Sequence, residues 1–500
     1  MPASSTSPAV TLRRPGPSRV RGHPGLALII MLSAQLMIIL DMTVVNIALP
    51  HIQAGLHFST DGLSWVLNAY TLTFGGLLLL GGRAGDILGR RRMFLAGIIL
   101  FTLASLAGGL ATEAWWLLTA RALQGVGGAL ASPAVLALVV GSFPEGRERT
   151  RALGVYSAVL MGGASLGLVL GGVITEWASW RWVLFVNVPV GILVVAVTPL
   201  FITESPRQPG RFDLAGALTS TGGMTALVYG FIRAASDGWA DRTALAAFGV
   251  AAVLLATFLL TESRTAQPIT PLRLFGSLSR SGSYLTRLLL VAGMFGMFFF
   301  LTQFVQEILG FSPLIAGVAF LPMTLTVFAV SRLAPRLMPR FGATRLMLAG
   351  MLPVIAGMAW LAQVSTGTSY LGGILGPMLL LGTGMGVVFV PLTTVSLAGV
   401  AAADSGAASS MVNVMQQLGG ALGLAILVTV FGTAYRHAAA AGTAAHGALV
   451  HGVASAFTVA AVFDGGALLV ILLTTGALTS VARGSVGRDG VGFATPRWRR

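Results

Sequence analysis

The 500-residue chain predicts an all-α polytopic membrane protein: two six-helix bundles with two extra helices between them. Three observations predict it. Only 9% of residues are charged while 55% are hydrophobic, against ~25% charged in a typical soluble domain. Mean hydropathy is +0.85. Apolar runs of ~20 residues, the length needed to cross a bilayer, recur along the whole chain. So few charges cannot cover a water-facing surface, which excludes a soluble enzyme, a nucleic-acid module and a disordered scaffold. The absence of cysteine removes disulfides, thiolate metal sites and thiol catalysis.

Fourteen spans are expected, at about 25–49, 62–82, 93–112, 115–140, 151–174, 182–203, 213–233, 243–261, 284–308, 312–333, 344–363, 370–398, 406–432 and 452–480. The seventh and eighth are the weakest, being short and diluted by small residues. Every one of the 31 basic residues is arginine. With the N-terminus inside, 26 arginines fall on the cytoplasmic side, 4 outside (Arg181, Arg233, Arg242, Arg436) and Arg121 within a span. The cytoplasmic set includes Arg287, at the start of the ninth span. This asymmetry is a strong positive-inside signal. It accounts for the net charge of +15 without nucleic acid and puts both termini in the cytoplasm.

The polar linkers ESPRQPGRF and ESRTAQPITPLRLFGSLSRSGS bracket spans 7 and 8. The expected domains are therefore a cytoplasmic tail 1–24, a bundle 25–203, a linker with two extra spans 204–283, a bundle 284–481 and a cytoplasmic tail 482–500. Gly128 to Pro133 in span 4 and Gly386 to Pro391 in span 12 share one spacing. Repeated halves of this kind build secondary transporters.

Four stretches carry chemistry. The first span ends in LDMTVVNIALP; taking Pro50 as its outer end puts Asp41 roughly 12–14 Å deep at 1.5 Å per residue. An ionised, unpaired carboxylate there costs several kcal/mol, so Asp41 should face the bundle interior and pair or bind a proton. Span 4 offers Arg121 at a similar depth, with Gln124 one turn on along the same face, and Gly125, Gly127 and Gly128 allow close packing. Such a pair is either a proton switch or a permanent salt bridge. The loop GGRAGDILGRRRMF combines Gly82, Gly85, Asp86, Gly89 and Arg90, a pattern suited to a tight turn with an internal ion pair that can act as a conformational latch. In span 5, Gly163, Gly167 and Gly171 recur every four residues and Gly172 follows, giving a small-residue face for packing or sliding.

These stretches resemble the fourteen-span drug:proton antiporters of the major facilitator superfamily over about residues 25 to 480. LDMTVVNIALP resembles the family's first-span signature, GRAGDILGRRR its loop signature, RALQGVGGA its fourth-span signature and GASLGLVLGG its antiporter signature. WRWVLFVNVPVG and QQLGGALGLA look like its sixth and thirteenth spans. The resemblance implies two bundles working by alternating access, with export of drugs or antibiotics coupled to proton entry across a bacterial cell membrane. Asp41 would be the protonated acid, Arg121 its coupling partner, and Asp86 with Arg90 the latch. Leu168 stands where the antiporter signature usually has proline, and Ile87 where the loop signature usually has a basic residue. The second-half loop SRLAPRLMPRFGATR has no acid, so only the first half can latch this way.

Asp464 fits none of these signatures. Near mid-span and flanked by Gly465 and Gly466, it either binds a cationic cargo, carries a second proton or is structural. Span 9 offers adaptable contacts in Met294, Met297, Phe298 and Phe300, with hydrogen bonds from Gln303 and Gln306. Asn68, Tyr70, Gln124, Asn413 and Gln417 are further cavity candidates. The histidines lack ligand spacing, so no metal is expected, and without lysine a GxxxxGK[ST] loop cannot form. The expected driving force is the proton gradient, with no cofactor. The expected partners are a small-molecule substrate, protons and the lipid bilayer, and a monomer suffices. No catalytic constellation occurs, so the chain is not expected to be an enzyme. A dedicated exporter of one endogenous metabolite or self-made antibiotic is the alternative, and a transport-dead receptor is disfavoured by the short tails.

Overall fold

The computed structural model describes residues 24–59, 62–143, 147–204, 207, 213–265, 272–400 and 405–485. Among them there is no strand. The first six spans are α1 (Pro24–Leu56), α2 (Trp65–Leu88), α3 (Arg90–Gly109), α4 (Ala114–Ser142), α5 (Arg147–Trp177) and the pair α6 (Trp182–Phe185) and α7 (Asn187–Phe201). Next come α8 (Leu214–Asp237) and α9 (Arg242–Arg264). The second bundle comprises α10 (Leu278–Gln303), α11 (Pro313–Ala319), α12 (Leu321–Ser331), α13 (Ala334–Phe341), α14 (Ala343–Leu361), α15 (Leu375–Leu397), α16 (Ser405–Ala440) and α17 (Ala445–Ser485). The two expected tails, 1–24 and 482–500, fall almost wholly outside the described residues.

Twelve segments among the described residues combine the length and apolarity of a membrane span. The fifth expected span is a 31-residue helix, and among the described residues its stretch Leu166–Trp177 is apolar. The seventh, α8, has 24 residues, but serine, threonines and glycines dilute it. The eighth, α9, is apolar enough to cross, and most of its surface is exposed, as suits a lipid-facing helix.

Two of the boundaries that differ from the sequence expectation bear on the site. Helix α1 does not stop at Pro50 but continues to Leu56, so Asp41 lies about 22 Å below its end by the helical rise. Pro50 lacks the N–H that would bond the Asn46 carbonyl; one residue on, the Ile47 carbonyl accepts a bond from the Gln306 side chain instead. Helix α10 starts at Leu278, six residues earlier than expected, so Arg287 sits inside it and is not a flanking surface charge. The first turn carries serines and an arginine, which hydropathy alone scores as loop although the backbone is already helical.

Two apolar clusters organise the packing. One holds the near half of the first bundle, including Met31, Ile38, Phe74, Phe101 and Val135. The other joins the second bundle to the far end of the first, with Val44, Leu49, Leu63 and Val183 packed in the same core as Met297, Phe304, Phe320 and Phe457. The bundles are thus fused at the end remote from the N-terminus. There Asn46 Nδ2 donates to Thr302 Oγ1 at 3.0 Å and to the Phe298 carbonyl at 3.3 Å. The Leu314 amide donates to Glu176 at 2.9 Å, tying α5 to α11. Helices α8 and α9 lie outside this frame, packed on each other and on α2 and α16; Thr429 of α16 donates to the Phe231 carbonyl of α8.

Candidate functional site

The first bundle contains a sealed polar cluster around Asp41, drawn from five helices. Arg121 of α4 pairs with Asp41 of α1, and both residues are 1% exposed. Gln124 Nε2, one turn along α4, donates to Asp41 Oδ1 at 2.9 Å and to Ser105 Oγ of α3 at 2.8 Å. Asn187 Nδ2 of α7 donates to the same Oδ1 at 2.9 Å. The guanidinium also donates to the Val66 carbonyl of α2 at 3.0 Å and to Gln124 Oε1 at 3.0 Å. Tyr70 of α2 presents its ring 4.6 Å from the Arg121 guanidinium carbon, a cation–π contact in a dry site.

This cluster is complete for an ionised acid. Three side chains aim donors at the carboxylate, and one of them carries the compensating charge. A proton added to Asp41 removes the carboxylate's negative charge and competes with one of the donors, so it weakens the contact to Arg121. Removing one partner of a buried pair leaves an uncompensated charge, at a cost of ~3–5 kcal/mol.

The small residues of α4 make the cluster possible. A side chain at Gly125 would run into Tyr70 and Thr73 of α2, and one at Gly127 into Gly97 and Phe101 of α3. In α5, Gly163 faces Leu36 and Ile39, Gly167 faces Thr43 and Leu40, and Gly171 faces the Val44 backbone, all on α1. Gly172 meets Pro313 and Leu314 of α11 instead. The stripe therefore packs α5 onto the helix that carries Asp41, while its neighbour touches the other bundle. Leu168 leaves α5 unbroken, and its carbonyl lies against Gly317 of α11.

At the opposite end of α2, Arg90 binds Asp86 Oδ1 at 3.0 Å and the Ala137 carbonyl of α4 at 3.3 Å. Gly89 adopts φ +112°, a conformation open mainly to glycine. Gly82 and Gly85 have ordinary contact distances to Pro133 and Arg90, whereas Gly81 is pressed against the Ala129 and Leu130 backbone. Glu204, just past α7, accepts from the Arg91 and Arg92 amides at 3.0 and 3.1 Å. It thereby caps α3, where a carboxylate suits the positive end of a helix.

The cavity candidates are dispersed. Gln124 belongs to the Asp41 cluster. Tyr70 is fully buried, with its hydroxyl among the buried polar atoms that have no hydrogen-bond partner, and Asn68 is 1% exposed with an unbonded Nδ2. Met297 and Gln303 are buried within the second bundle, while Phe298 and Gln306 reach α1. Gln417 of α16 packs against Gly75 of α2, and Asn413, one turn away, is exposed. Asp464 is 1% exposed beside Gly293 of α10, and neither carboxylate oxygen has a hydrogen-bond partner.

Sequence reasoning missed several residues that the structure brings to the cluster, the far-end closure or the loop. Asn187 lay inside the WRWVLFVNVPVG match without a role. Asn46 lay inside LDMTVVNIALP in the same way; Ser105 and Thr302 carry no local signal, because a polar residue at mid-helix reads the same whether it meets a carboxylate or another helix, and Glu204 reads as one more charge of a polar linker.

Two helical bundles fused at one end, with an acid–base pair sealed inside one of them, define a multi-pass membrane transporter of small molecules. The family model of the Major Facilitator Superfamily matches residues 31–424, and the chain belongs to that superfamily. It is 43% identical over 479 residues to the puromycin resistance protein pur8 of Streptomyces alboniger, covering 94% of each chain. It is 41% identical to the cephamycin export protein CmcT of Amycolatopsis lactamdurans, over 81% of this chain and 85% of that one. In fold it is similar to a bacterial homologue of the lysosomal transporter Spinster, with a TM-score of 0.65 and 16% identity over 91% of this chain and 97% of that one.

Proposed function

We propose that the protein is a proton-coupled antiporter that exports small hydrophobic or amphipathic compounds, drugs and antibiotics among them, across a bacterial cell membrane. Fourteen crossings leave both termini in the cytoplasm, two bundles of six helices rock against each other with the two extra helices outside them, and a single chain suffices. The observation that carries the reading is the Asp41–Arg121 pair, sealed in one bundle with Gln124 and Asn187 as further donors. The resistance and export relatives support the direction of transport.

With the N-terminus inside, the fused end is the outer face, and this state is the one that loads cargo from the cytoplasm. Cargo then favours an ionised Asp41 paired with Arg121. Opening to the outside requires Asn46 to leave Phe298 and Thr302, and α5 to leave α11. A proton arriving from outside neutralises Asp41, loosens Arg121 and releases cargo. The Asp86–Arg90 turn and the Glu204 cap hold the near ends of α2 and α3 through the cycle. The driving force is the proton gradient, whose electrical part supplies ~2.3 kcal/mol per charge per 100 mV; no cofactor is required.

A dedicated exporter of one antibiotic made by its own host is the second reading, favoured by the 41% identity to a cephamycin export protein. Efflux of puromycin, lincomycin, tetracenomycin C and a cephamycin from inverted vesicles, with and without a pH gradient, tests both. Gradient-dependent movement of several compounds supports the broad exporter, movement of one alone the dedicated one, and movement insensitive to the gradient contradicts proton coupling.

A further inference from the structure

The charges buried in the first bundle cancel, Asp41 against Arg121. The second bundle holds a buried cation that no described carboxylate cancels. Arg287 lies nine residues into α10 and is 3% exposed. One guanidinium nitrogen donates to Thr393 Oγ1 of α15 at 2.6 Å, and another reaches Gln416 Oε1 of α16 at 3.4 Å. The ring of Phe389 is 5.5 Å from its central carbon, and Nε has no hydrogen-bond partner. No carboxylate among the described residues forms an ion pair with it. A guanidinium remains charged at any working pH, and an intramembrane charge facing only neutral groups marks a functional position by default.

Its place on α10 shows what it faces. At 3.6 residues per turn, Arg287, Met294 and Phe298 fall on one stripe. The Phe298 end of that stripe is where Asn46 of the first bundle docks. One turn before Arg287, Tyr284 shares an apolar cluster with Leu79 of α2. The stripe therefore runs along the seam between the bundles. Asp464 lies at Gly293, roughly 120° further round α10, and does not neutralise it.

We infer that Arg287 is the polar end of the cargo site and selects compounds that carry an anionic group, a carboxylate or its equivalent, with their apolar body along Met294 and Phe298. The rise from Arg287 to Phe298 is about 16 Å, the length of an elongated amphipathic molecule. The assignment rests on the export reading and names its cargo class.

Thermal denaturation of the purified full chain in detergent tests it, using three matched probes: 1-pyrenebutyrate, its methyl ester and 1-pyrenemethylammonium. The carboxylate should stabilise the wild type at a concentration at least about tenfold lower than the ester or the ammonium probe, a difference of ~1.4 kcal/mol. Arg287→Gln should bring the carboxylate to within about twofold of the ester without changing the ester. Arg287→Lys, which keeps charge but loses the planar fork, should weaken the carboxylate severalfold and spare the ester. Equal potency of carboxylate and ester on the wild type overturns the assignment, as does a carboxylate preference that survives Arg287→Gln. If the Gln variant does not fold, unchanged carboxylate potency in Arg287→Lys overturns it. Inorganic sulfate matching the pyrene carboxylate would make this a free-anion site and overturn the cargo assignment. No gradient enters the measurement, so failure of proton coupling would leave its outcome untouched.

Discussion

Replacing Asn46 by valine removes the two hydrogen bonds by which α1 holds α10 at the fused end, to Thr302 Oγ1 at 3.0 Å and to the Phe298 carbonyl at 3.3 Å. Each neutral bond contributes ~0.5–1.5 kcal/mol net, nearer the lower figure between membrane helices. Together they hold this end closed by about 1–2 kcal/mol, so the closed-to-open ratio should fall roughly 5- to 30-fold. Thr302 keeps its own bond to the Phe298 carbonyl at 2.7 Å in the variant, so Thr302→Val alone should cost about half as much. Added to Asn46→Val it should cost little more, because the two residues share one contact. The chain has no cysteine, so spin labels on His57→Cys and Glu307→Cys, placed beyond α1 and α10, report opening without background. The expected result is a second, longer distance population in Asn46→Val. An unchanged distance distribution would refute the reasoning, since the contact would then not hold the bundles together.

Further outcomes follow from the same contacts. Asn187→Leu removes a donor from Asp41 Oδ1 while leaving Arg121 in place; gradient-driven efflux should fall about tenfold with expression intact, and full activity would show that α7 does not tune the acid. Gly167→Leu forces a side chain into Thr43 and Leu40 of α1; transport should be abolished and the denaturation midpoint lowered, whereas Gly249→Leu, which has open space around it, should change neither. Glu204→Gln keeps the shape of the α3 cap but loses its charge; efflux should drop severalfold with cargo binding unchanged, and a loss confined to binding would contradict a role in the moving loop. Asp464→Leu removes a buried carboxyl that has no hydrogen-bond partner; the midpoint should hold or rise in thermal unfolding, and a clear fall would mean that the carboxyl stabilises the fold.

Much of this architecture is legible in the sequence because a bilayer imposes one coarse rule, an apolar run of fixed length, and the arginines report the ends. The same rule fails where a helix is polar yet buried. It ended α1 at Pro50, because proline reads as a stop, whereas the helix passes through it to Leu56. It placed Arg287 on the surface, because a charged residue near a span's start reads as a flank, whereas Leu278 already begins the helix. The pairing of Asp41 with Arg121 could be anticipated from matched depth and opposite charge. Ser105 and Asn187 could not, because their value depends on which face of α3 and α7 turns inward, and those helices are apolar nearly all round. The glycines show the same limit. Spacing singled out Gly82, while the closest backbone approach in that turn of α2 is made at Gly81.

Proton release on cargo binding tests the exchange at Asp41 most directly. Purified protein in weakly buffered detergent, loaded with protons at mildly acidic pH and mixed with a saturating exported compound that carries a carboxylate, such as a cephamycin, is followed with a pH-indicator dye. The account predicts that wild type releases a proton as cargo binds, and that Asp41→Asn binds the same compound without releasing one. Equal proton release from both proteins, or none from the wild type while cargo binds, would contradict it.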